Sequence, residues 1–348
     1  MNRFYIGTYT SGSESRGIYA AQLDPQTGAM KIIGFTESDN PSFAALNKAG
    51  TRLYTVNEKS GANGNVSSYS VEASTGALTF LGSVSSRGVS PCYIGLDLAE
   101  RAVIVTNYSS GTVPIYPLDD QGVIREASMT LVHEGHGADP DRQSGPHAHS
   151  FILDPRGQVI VADLGLDKLM IYSVDHGGGA PSLIFDRSVD LHPGAGPRHM
   201  AFDKSYKRLY VLGELDATVT VFDYDEASGL IEPIQSLSAL PAGYKGKISA
   251  ADIHLSDDGC FLYTSNRGDD SVAVFAVEPD SGKLEFIKTQ SVHGKTPRNF
   301  AIDPGGRWLL CANQDSDNIV CFSIDRQTGL LSKVSEIAVP RPVMVLFY

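Results

Sequence analysis

A unit of about fifty residues recurs along the whole chain and limits the folds that the chain can adopt. Its clearest part is an apolar run that ends in a polar residue, and its copies are FYIGTY at 4–9, RLYTVNE at 52–58, AVIVTNY at 102–108, QVIVADL at 158–164, RLYVLGE at 208–214, FLYTSNR at 261–267 and WLLCANQ at 308–314. A further apolar run precedes each copy except the first, a third follows it, and a fourth leads to the next unit. Four short β-rich runs per unit predict an all-β, seven-bladed β-propeller with four antiparallel strands per blade.

The phase of the repeat predicts how the ring closes. The first unit lacks its first strand at the N-terminus, whereas a spare first strand, from Val343 to Tyr348, stands at the C-terminus. We expect this C-terminal strand to pair with Tyr5 to Tyr9 and so to remove an exposed sheet edge. Two separate β-sandwiches would not produce the constant phase. The sequence therefore predicts a single propeller domain over residues 1–348.

Charge and composition exclude several classes of partner. The formal net charge of −12 argues against non-specific binding to nucleic acids or to anionic membranes. The N-terminus has no apolar signal core, and no apolar run is long enough to span a bilayer. The four cysteines lack metal-ligand spacing and are expected to be buried free thiols in a reducing compartment: Cys92, Cys260, Cys311 and Cys321. We therefore expect a soluble cytoplasmic protein.

Polar residues cluster where the strands of each unit end. In an antiparallel pair, the start of the first strand lies beside the end of the second, which brings Arg198 and His199 close to Glu214. Equivalent positions in other units hold Asn57, Asn107, His147, His149, Arg267, Arg298 and Asn313. Arginine binds carboxylate and phosphate groups in a bidentate manner, so three arginines on one rim predict an anion site.

The histidines of this rim have two interpretations each. His147 opens an inner strand, where it is either a general base acting on water or a cap bonded to a neighbouring blade. His149 and His199 are candidate substrate ligands, but structural roles are favoured for both. His149 lies on the same side of its strand as His147 but deeper, and strand alternation turns His199 away from Arg198. His254 lies deeper in its strand and is expected in the core.

Two long connections, Val132 to Gly145 and Leu240 to Lys247, are predicted to cover the same face, and the second supplies Lys245 as a further cation. The first contains potential metal ligands at His133, His136, Asp139 and Asp141. A glycine-rich loop is a poor frame for a zinc site, so we predict neither a metal nor another cofactor. The sequence also lacks a phosphate-binding glycine loop, a GxSxG elbow and an HExxH helix.

Three segments resemble a known family: GAGPRHMAFD at 194–203, AADIHLSDDGCFLYTSNR at 250–267 and TPRNFAIDPGGRWLL at 296–310. They are similar to the lactonase family of seven-bladed propellers, which includes propeller-type 6-phosphogluconolactonases and carboxy-cis,cis-muconate cyclases. The resemblance covers essentially the whole chain and implies that the working residues are His147, Arg198, Glu214 and Arg267. GEL at 213–215 and PHAHS at 146–150 differ from relatives and leave the substrate open.

The resemblance implies a sugar lactonase, in the first place one acting on 6-phosphogluconolactone in the pentose phosphate route. Either His147 or Glu214 would activate water, and Arg198 or Arg267 would stabilise the oxyanion. The other arginines, with Lys245, would hold a phosphate or carboxylate of a small anionic substrate. Alternatives are a muconate-type lactonizing cycloisomerase and a non-catalytic propeller that binds a small anion. A monomer or a weak homo-oligomer is expected.

Overall fold

The computed structural model describes residues 1–177 and 179–348. They form two compact units, each considered by itself: the terminal unit, Met1–Gly34 with Arg198–Tyr348, and the middle unit, Phe35–Pro197. The prediction of one domain over 1–348 stays a prediction. No helix among the described residues is long and apolar enough to cross a membrane.

The regular structure of the described residues is almost entirely β-strand, with one 3-10 turn at Gln314–Ser316. The strands of the first part of the chain are β1 Asn2–Thr8, β2 Gly17–Leu23, β3 Met30–Glu37, β4 Phe43–Leu46, β5 Arg52–Asn57, β6 Asn63–Val71, β7 Leu78–Val89, β8 Pro91–Leu96, β9 Ala102–Asn107, β10 Thr112–Pro117, β11 Met129–Val132, β12 Ala148–Leu153, β13 Val159–Asp163 and β14 Lys168–Asp175. Those of the second part are β15 Ser182–Asp190, β16 Pro197–Phe202, β17 Arg208–Gly213, β18 Thr218–Asp225, β19 Leu230–Ser238, β20 Ala250–Leu255, β21 Phe261–Asn266, β22 Ser271–Val277, β23 Leu284–Ser291, β24 Pro297–Ile302, β25 Trp308–Asn313, β26 Asn318–Ile324, β27 Leu331–Ala338 and β28 Pro342–Phe347.

These strands form seven four-stranded antiparallel sheets. Each sheet takes its strands in chain order, except that β28 stands beside β1 in the sheet β28-β1-β2-β3. The sheets are the seven blades of a β-propeller, and the predicted all-β class, blade number and strand phase are confirmed.

The predicted pairing of the two chain termini is also confirmed. Strand β28 runs antiparallel to β1, with Tyr5 opposite Leu346 and Ile6 opposite Val345. The rings of Tyr5 and Tyr348 stack with their centroids 4.2 Å apart. The C-terminal segment thus completes the first blade with both hydrogen bonds and packed side chains.

The tyrosine of the repeated LY motif explains why the turns also repeat. Tyr210 donates its hydroxyl to the carbonyl of Gly282 at 2.9 Å, and Tyr263 donates to that of Gly329 at 3.0 Å. Each acceptor lies in the turn between the third and fourth strands of the next blade. Gly329 has φ of 70°, and a Cβ there would lie 2.4 Å from Phe261, so the turn needs glycine. In the middle unit Tyr54 bonds Gly122 in the same way.

Apolar side chains of neighbouring sheets supply the core of each unit. Fully buried aliphatic and aromatic residues of one such layer in the terminal unit are Leu212, Val219, Ile253, Leu262 and Phe275. Their counterparts in the middle unit are Ile104, Ile115, Phe151, Val161 and Tyr172. Burial of these side chains is the main favourable term that holds adjacent blades together.

The cysteine prediction is correct for three residues and wrong for the fourth. All four thiols are free, and Cys92, Cys311 and Cys321 are buried. Cys260, in contrast, is exposed. It lies in the turn just before β21, with its sulfur 3.9 Å from the carbonyl of Asp258, so the apolar run that follows does not bury it.

Candidate active site

Four charged side chains of the terminal unit form what we call the arginine cluster: Arg198, Glu214, Arg267 and Arg298. Arg198 is the second residue of β16, and Glu214 directly follows β17 in the same sheet. The Glu214 Oε2 atom accepts a hydrogen bond from Arg198 Nε at 2.9 Å and lies 2.7 Å from Arg267 Nη2. The strand-end geometry therefore brings Arg198 to Glu214 as predicted.

The start of β20 fixes both guanidinium groups. Arg198 Nη1 donates to the carbonyl of Ala251, and Arg267 Nη2 donates to that of Ala250 at 3.1 Å. Arg198 and Glu214 are 2% and 5% exposed, which shields their ion pair from water. Because carboxylate and carbonyl acceptors hold the guanidinium groups from different directions, the cations are positioned before any ligand binds.

The third arginine adds to the positive charge of this cluster. Arg298 stands where a β-bulge interrupts the pairing of β24 with β25, and its guanidinium lies 5.4 Å from the ring centre of Tyr9. Burial lowers the pKa of Arg198 to about 10, and Arg267 and Arg298 contribute by repulsion while Glu214 and the neighbouring Asp252 oppose them. The three guanidinium groups outnumber these two carboxylates, so the cluster is suited to binding an anion.

A buried hydrogen-bond chain runs beside the arginine cluster and links the first strands of four blades. The His199 Nδ1 atom lies 2.7 Å from Asp252 Oδ1, and Asp252 Oδ2 accepts hydrogen bonds from Asn299 at 2.5 Å and from His254 Nε2 at 3.1 Å. Asn299 in turn accepts the backbone N–H of Val345 at 2.7 Å. The chain thus joins β16, β20, β24 and β28, and it supports the structural interpretation of His199.

The pKa values of the two histidines in this hydrogen-bond chain shift in opposite directions. Burial and the neighbouring Arg198 lower the pKa of His199 to about 4, although Asp252 opposes them, so His199 is neutral at pH 7. Burial also acts against protonation of His254, but Asp252 and a hydrogen bond to the Phe300 backbone outweigh it and raise the pKa. The prediction of a core position for His254 is wrong, because its side chain is 41% exposed. Its place at the fifth position of β20, packed edge-on against the Phe300 ring, leaves one side open.

The opposite shifts predict opposite effects on stability. Unfolding lets His199 bind a proton below pH ~6.5, so the wild-type protein loses stability as the pH falls towards 4. His199→Gln should therefore be less destabilising at pH 5 than at pH 8, by about 1–2 kcal/mol. The His254 contribution is fully present below pH ~6.5 and is lost as the pH rises through its higher native pKa.

Urea unfolding of the wild-type protein, His199→Gln and His254→Gln at pH 5, 6.5, 8 and 9 would measure how the free energy of unfolding of each protein changes with pH. We expect His254→Gln to cost more at pH 6.5 than at pH 9. Equal costs for each variant at every pH would contradict the opposite pKa shifts of His199 and His254.

The predicted base, His147, lies in the middle unit and is held against Tyr108. The two rings stack with centroids 4.5 Å apart and an interplanar angle of 11°. His147 Nδ1 lies 2.9 Å from the carbonyl oxygen of Tyr108. A carbonyl can only accept, so Nδ1 carries the proton and Nε2 of the neutral ring keeps its lone pair. This tautomer is the one that a general base needs.

A buried carboxylate sets the position of the His147 backbone. Asp163 Oδ1 accepts the N–H of His147 at 2.8 Å, and Asp163 Oδ2 lies 2.6 Å from His133 Nδ1. The other ring nitrogen of His133 bonds the Tyr172 hydroxyl at 2.8 Å. Asp163 and His133 are both almost fully buried, so this network is a rigid support.

Two further residues predicted as substrate ligands, His149 and Lys245, lie in different environments. His149 is buried, with Tyr108 edge-on to its ring, and its carbonyl accepts the Thr106 hydroxyl at 2.9 Å. Lys245 is exposed in the connection from Leu240 to Lys247. Substrate contact by either residue stays a prediction.

Three asparagines predicted as substrate ligands are buried, and each bonds the fourth strand of the preceding blade or the connection after that strand. Asn57 donates to the carbonyl of Asp39 at 2.7 Å, Asn107 to that of Ser86 at 2.9 Å, and Asn313 to that of Val292 at 3.3 Å. Asn266 makes the same bond to Ala239 at 3.0 Å. This geometry favours a scaffold role over substrate binding.

The loop residues considered as metal ligands are dispersed. His133 is committed to Asp163 and Tyr172, whereas His136 is exposed with Nδ1 3.1 Å from the Gly137 carbonyl. Across residues 1–177 and 179–348, no group of three or more His, Cys, Asp and Glu side chains is arranged to hold a metal. Arg142 of the same loop, absent from the set predicted from the sequence, donates to the Tyr108 hydroxyl at 3.1 Å.

Comparisons with known proteins agree with this architecture over the full chain. A 6-phosphogluconolactonase of Bacillus subtilis is 37% identical over 99% of this chain and 97% of its own length. A 6-phosphogluconolactonase of Formosa agariphila is 30% identical over 95% of each chain. The solved structure of a periplasmic gluconolactonase of Pseudomonas aeruginosa matches with a TM-score of 0.93 and 33% identity, covering 99% of this chain and 98% of that one.

The family model described as "Lactonase, 7-bladed beta-propeller" matches residues 3–347. This match includes every blade and every residue of the arginine cluster, together with His147. The chain belongs to the lactonase family of seven-bladed β-propellers.

Proposed function

We propose that this protein hydrolyses a sugar lactone, in the first place 6-phosphogluconolactone, to the corresponding sugar acid. The observation that carries the proposal is the arginine cluster, in which Arg198, Arg267 and Arg298 outnumber the carboxylates of Glu214 and the neighbouring Asp252. The names of the B. subtilis and F. agariphila relatives support the same substrate. An anionic substrate and an oxyanion intermediate both need such an excess of positive charge.

The arginine cluster is assigned to the carbonyl oxygen of the lactone. When water adds to this carbonyl, negative charge develops on the oxygen, and the guanidinium groups of Arg198 and Arg267 stabilise it. Glu214 contacts both guanidinium groups through Oε2, so its role is to orient them and to offset their mutual repulsion. A carboxylate in this position is poorly suited to remove a proton from water.

His147 is therefore assigned to water activation. Its Nε2 lone pair takes a proton from water while the water oxygen forms a bond to the lactone carbon. Collapse of the tetrahedral intermediate breaks the bond to the ring oxygen, which takes up the proton from His147. The product is the open-chain sugar acid.

The proposal is tested by timed hydrolysis of freshly prepared 6-phosphogluconolactone in EDTA, against its spontaneous background. We expect the wild-type protein to accelerate the reaction and His147→Ala to lower kcat by about a hundredfold or more, because general-base catalysis contributes 10²–10⁴-fold. Melting curves of both proteins would show that the variant is folded.

Acceleration by His147→Ala equal to that of the wild type would remove His147 from the mechanism. A wild-type protein that binds 6-phosphogluconate without hydrolysing the lactone would instead be a binding protein. We also propose a cytoplasmic location, which the four free thiols favour, and fractionation of the source cells would test it.

A further inference from the structure

The loop from Val132 to Gly145 is fixed at both of its ends. Near the first end, His133 is buried and bonded to Asp163. Near the second end, Gln143 is fully buried, and its Nε2 donates to the carbonyl of Leu164 at 2.8 Å and to Asp167 Oδ1 at 2.7 Å. The partners of His133 and Gln143 all belong to one short segment, residues 163–167, so the loop packs as an ordered part of the middle unit.

The same segment also holds His147. Asp163 accepts the N–H of His147 at 2.8 Å, and the N–H of Leu164 donates to the carbonyl of His147 at 3.0 Å. A cation carried by this loop is therefore fixed in position relative to the proposed base. Sharing one support avoids the entropic cost of ordering a mobile loop around the substrate.

Arg142 is the cation that the loop presents. Its N–H and that of Asp141 donate to Asp139 Oδ1 at 3.1 Å and 2.9 Å, which forms a tight turn. The Nη2 atom of Arg142 donates to the hydroxyl of Tyr108 at 3.1 Å, and the ring of Tyr108 is stacked on His147. The guanidinium thus lies at one end of the tyrosine ring whose face covers the proposed base.

We propose that Arg142 recognises the phosphate group of the substrate and so makes the protein prefer phosphorylated over unphosphorylated sugar lactones. This inference rests on the proposed function. In the lactone, phosphate is the only ionised group, and it is carried by the carbon attached to the ring carbon that bears the ring oxygen. The phosphate therefore lies within about one sugar-ring width of the carbonyl that water attacks.

The chemistry of the two groups is matched. A guanidinium offers two parallel N–H donors to two phosphate oxygens, in addition to charge. The side chain of Arg142 is exposed, so a ligand can approach it from solvent. An arginine in this place is therefore suited to hold the phosphate group.

The test compares kcat/KM for 6-phosphogluconolactone and gluconolactone in wild type, Arg142→Ala and Arg142→Lys. We expect Arg142→Ala to lower the ratio of the two kcat/KM values at least tenfold, with Arg142→Lys intermediate. The matched control is Arg156→Ala, an exposed arginine in the turn at the other end of β12, which should leave the ratio unchanged.

Binding of 6-phosphogluconate and gluconate, measured by calorimetry, separates this inference from the proposed function. If the wild type hydrolyses neither lactone, the proposed function fails, but a preference for 6-phosphogluconate that depends on Arg142 would still support the inference. A ratio unchanged in Arg142→Ala would overturn it. Equal losses for both substrates would also overturn it, since Arg142 would then act only by holding Tyr108.

Discussion

Deletion of Pro342 to Tyr348 is expected to abolish soluble, cooperatively folded protein. The deleted strand β28 buries Val343, Met344 and Val345 to within 5% of full burial. Burial of three such side chains stabilises a fold by about 6 kcal/mol, which is comparable with the whole stability of a typical domain. The loss should therefore be global rather than confined to one blade.

The hydrogen bonds lost with β28 would destabilise the protein further. The N–H and C=O groups of β1 that pair with β28 would lose their partners, and the Asn299 side chain would lose the N–H of Val345. An unpaired strand edge of this length invites association with other chains. Soluble yield, the far-ultraviolet circular dichroism spectrum and a thermal melt would report the effect.

A peptide with the sequence of residues 342–348, added in trans, is the matched control. It should restore soluble protein in part, because it supplies the missing strand but not the covalent link. A truncated chain that melts like the wild type would show that the terminal pairing contributes little.

The fold could be predicted from the sequence because the same pattern of four strands occurs in seven units, with a constant phase.

Comparison of equivalent positions in the seven units also separates residues that support the fold from residues of the candidate site. Asparagine ends the second strand at positions 57, 107, 266 and 313, and there it bonds the fourth strand of the preceding blade or the connection after that strand. The next residue varies from unit to unit, as in Tyr108, Glu214 and Arg267, and these residues carry the proposed chemistry. A repeated residue supports the blade, so Asn57, Asn107 and Asn313 fit the scaffold better than the site.

What could not be predicted depends on contacts between distant segments. Arg142 lies in a loop without periodicity, and only the folded positions of Gln143 and Asp163 direct it towards Tyr108. The apolar strand pattern suggested burial for His254, yet its ring packs edge-on against Phe300 and its side chain stays partly exposed. The alternation of side chains along a strand predicts the face of the sheet on which a residue lies, but not how far neighbouring side chains bury it.

Replacement of Arg198 by lysine is expected to lower kcat/KM for the lactone about tenfold or more, equivalent to ~1.4 kcal/mol. Arg198 uses Nε for Glu214 and Nη1 for the Ala251 carbonyl, two acceptors that lie in different directions. A single ammonium group cannot reproduce this planar fork. The variant keeps the charge, so the effect would measure geometry rather than the loss of a cation.

Arg208→Lys is the matched control in the same blade. Arg208 opens β17, the strand that Glu214 follows at its other end, and it bonds the Ser281 carbonyl and Asp223. We expect this control to leave kcat/KM within twofold of the wild type, because the residue lies outside the arginine cluster. A similar fall in both variants would indicate a general loss of stability.

The pair Arg198→Lys and Glu214→Gln then decides whether these residues act as one unit. Glu214→Gln removes the charge that orients Arg198 and Arg267, so it should lower kcat/KM by a similar amount while the melting temperature falls. The double variant should be only slightly worse than either single variant, with a coupling of about 1–3 kcal/mol, because each change disrupts the same geometry. Additive losses would mean that the two side chains contribute independently. Wild-type rates in all three proteins would leave the arginine cluster as a structural feature of the blades.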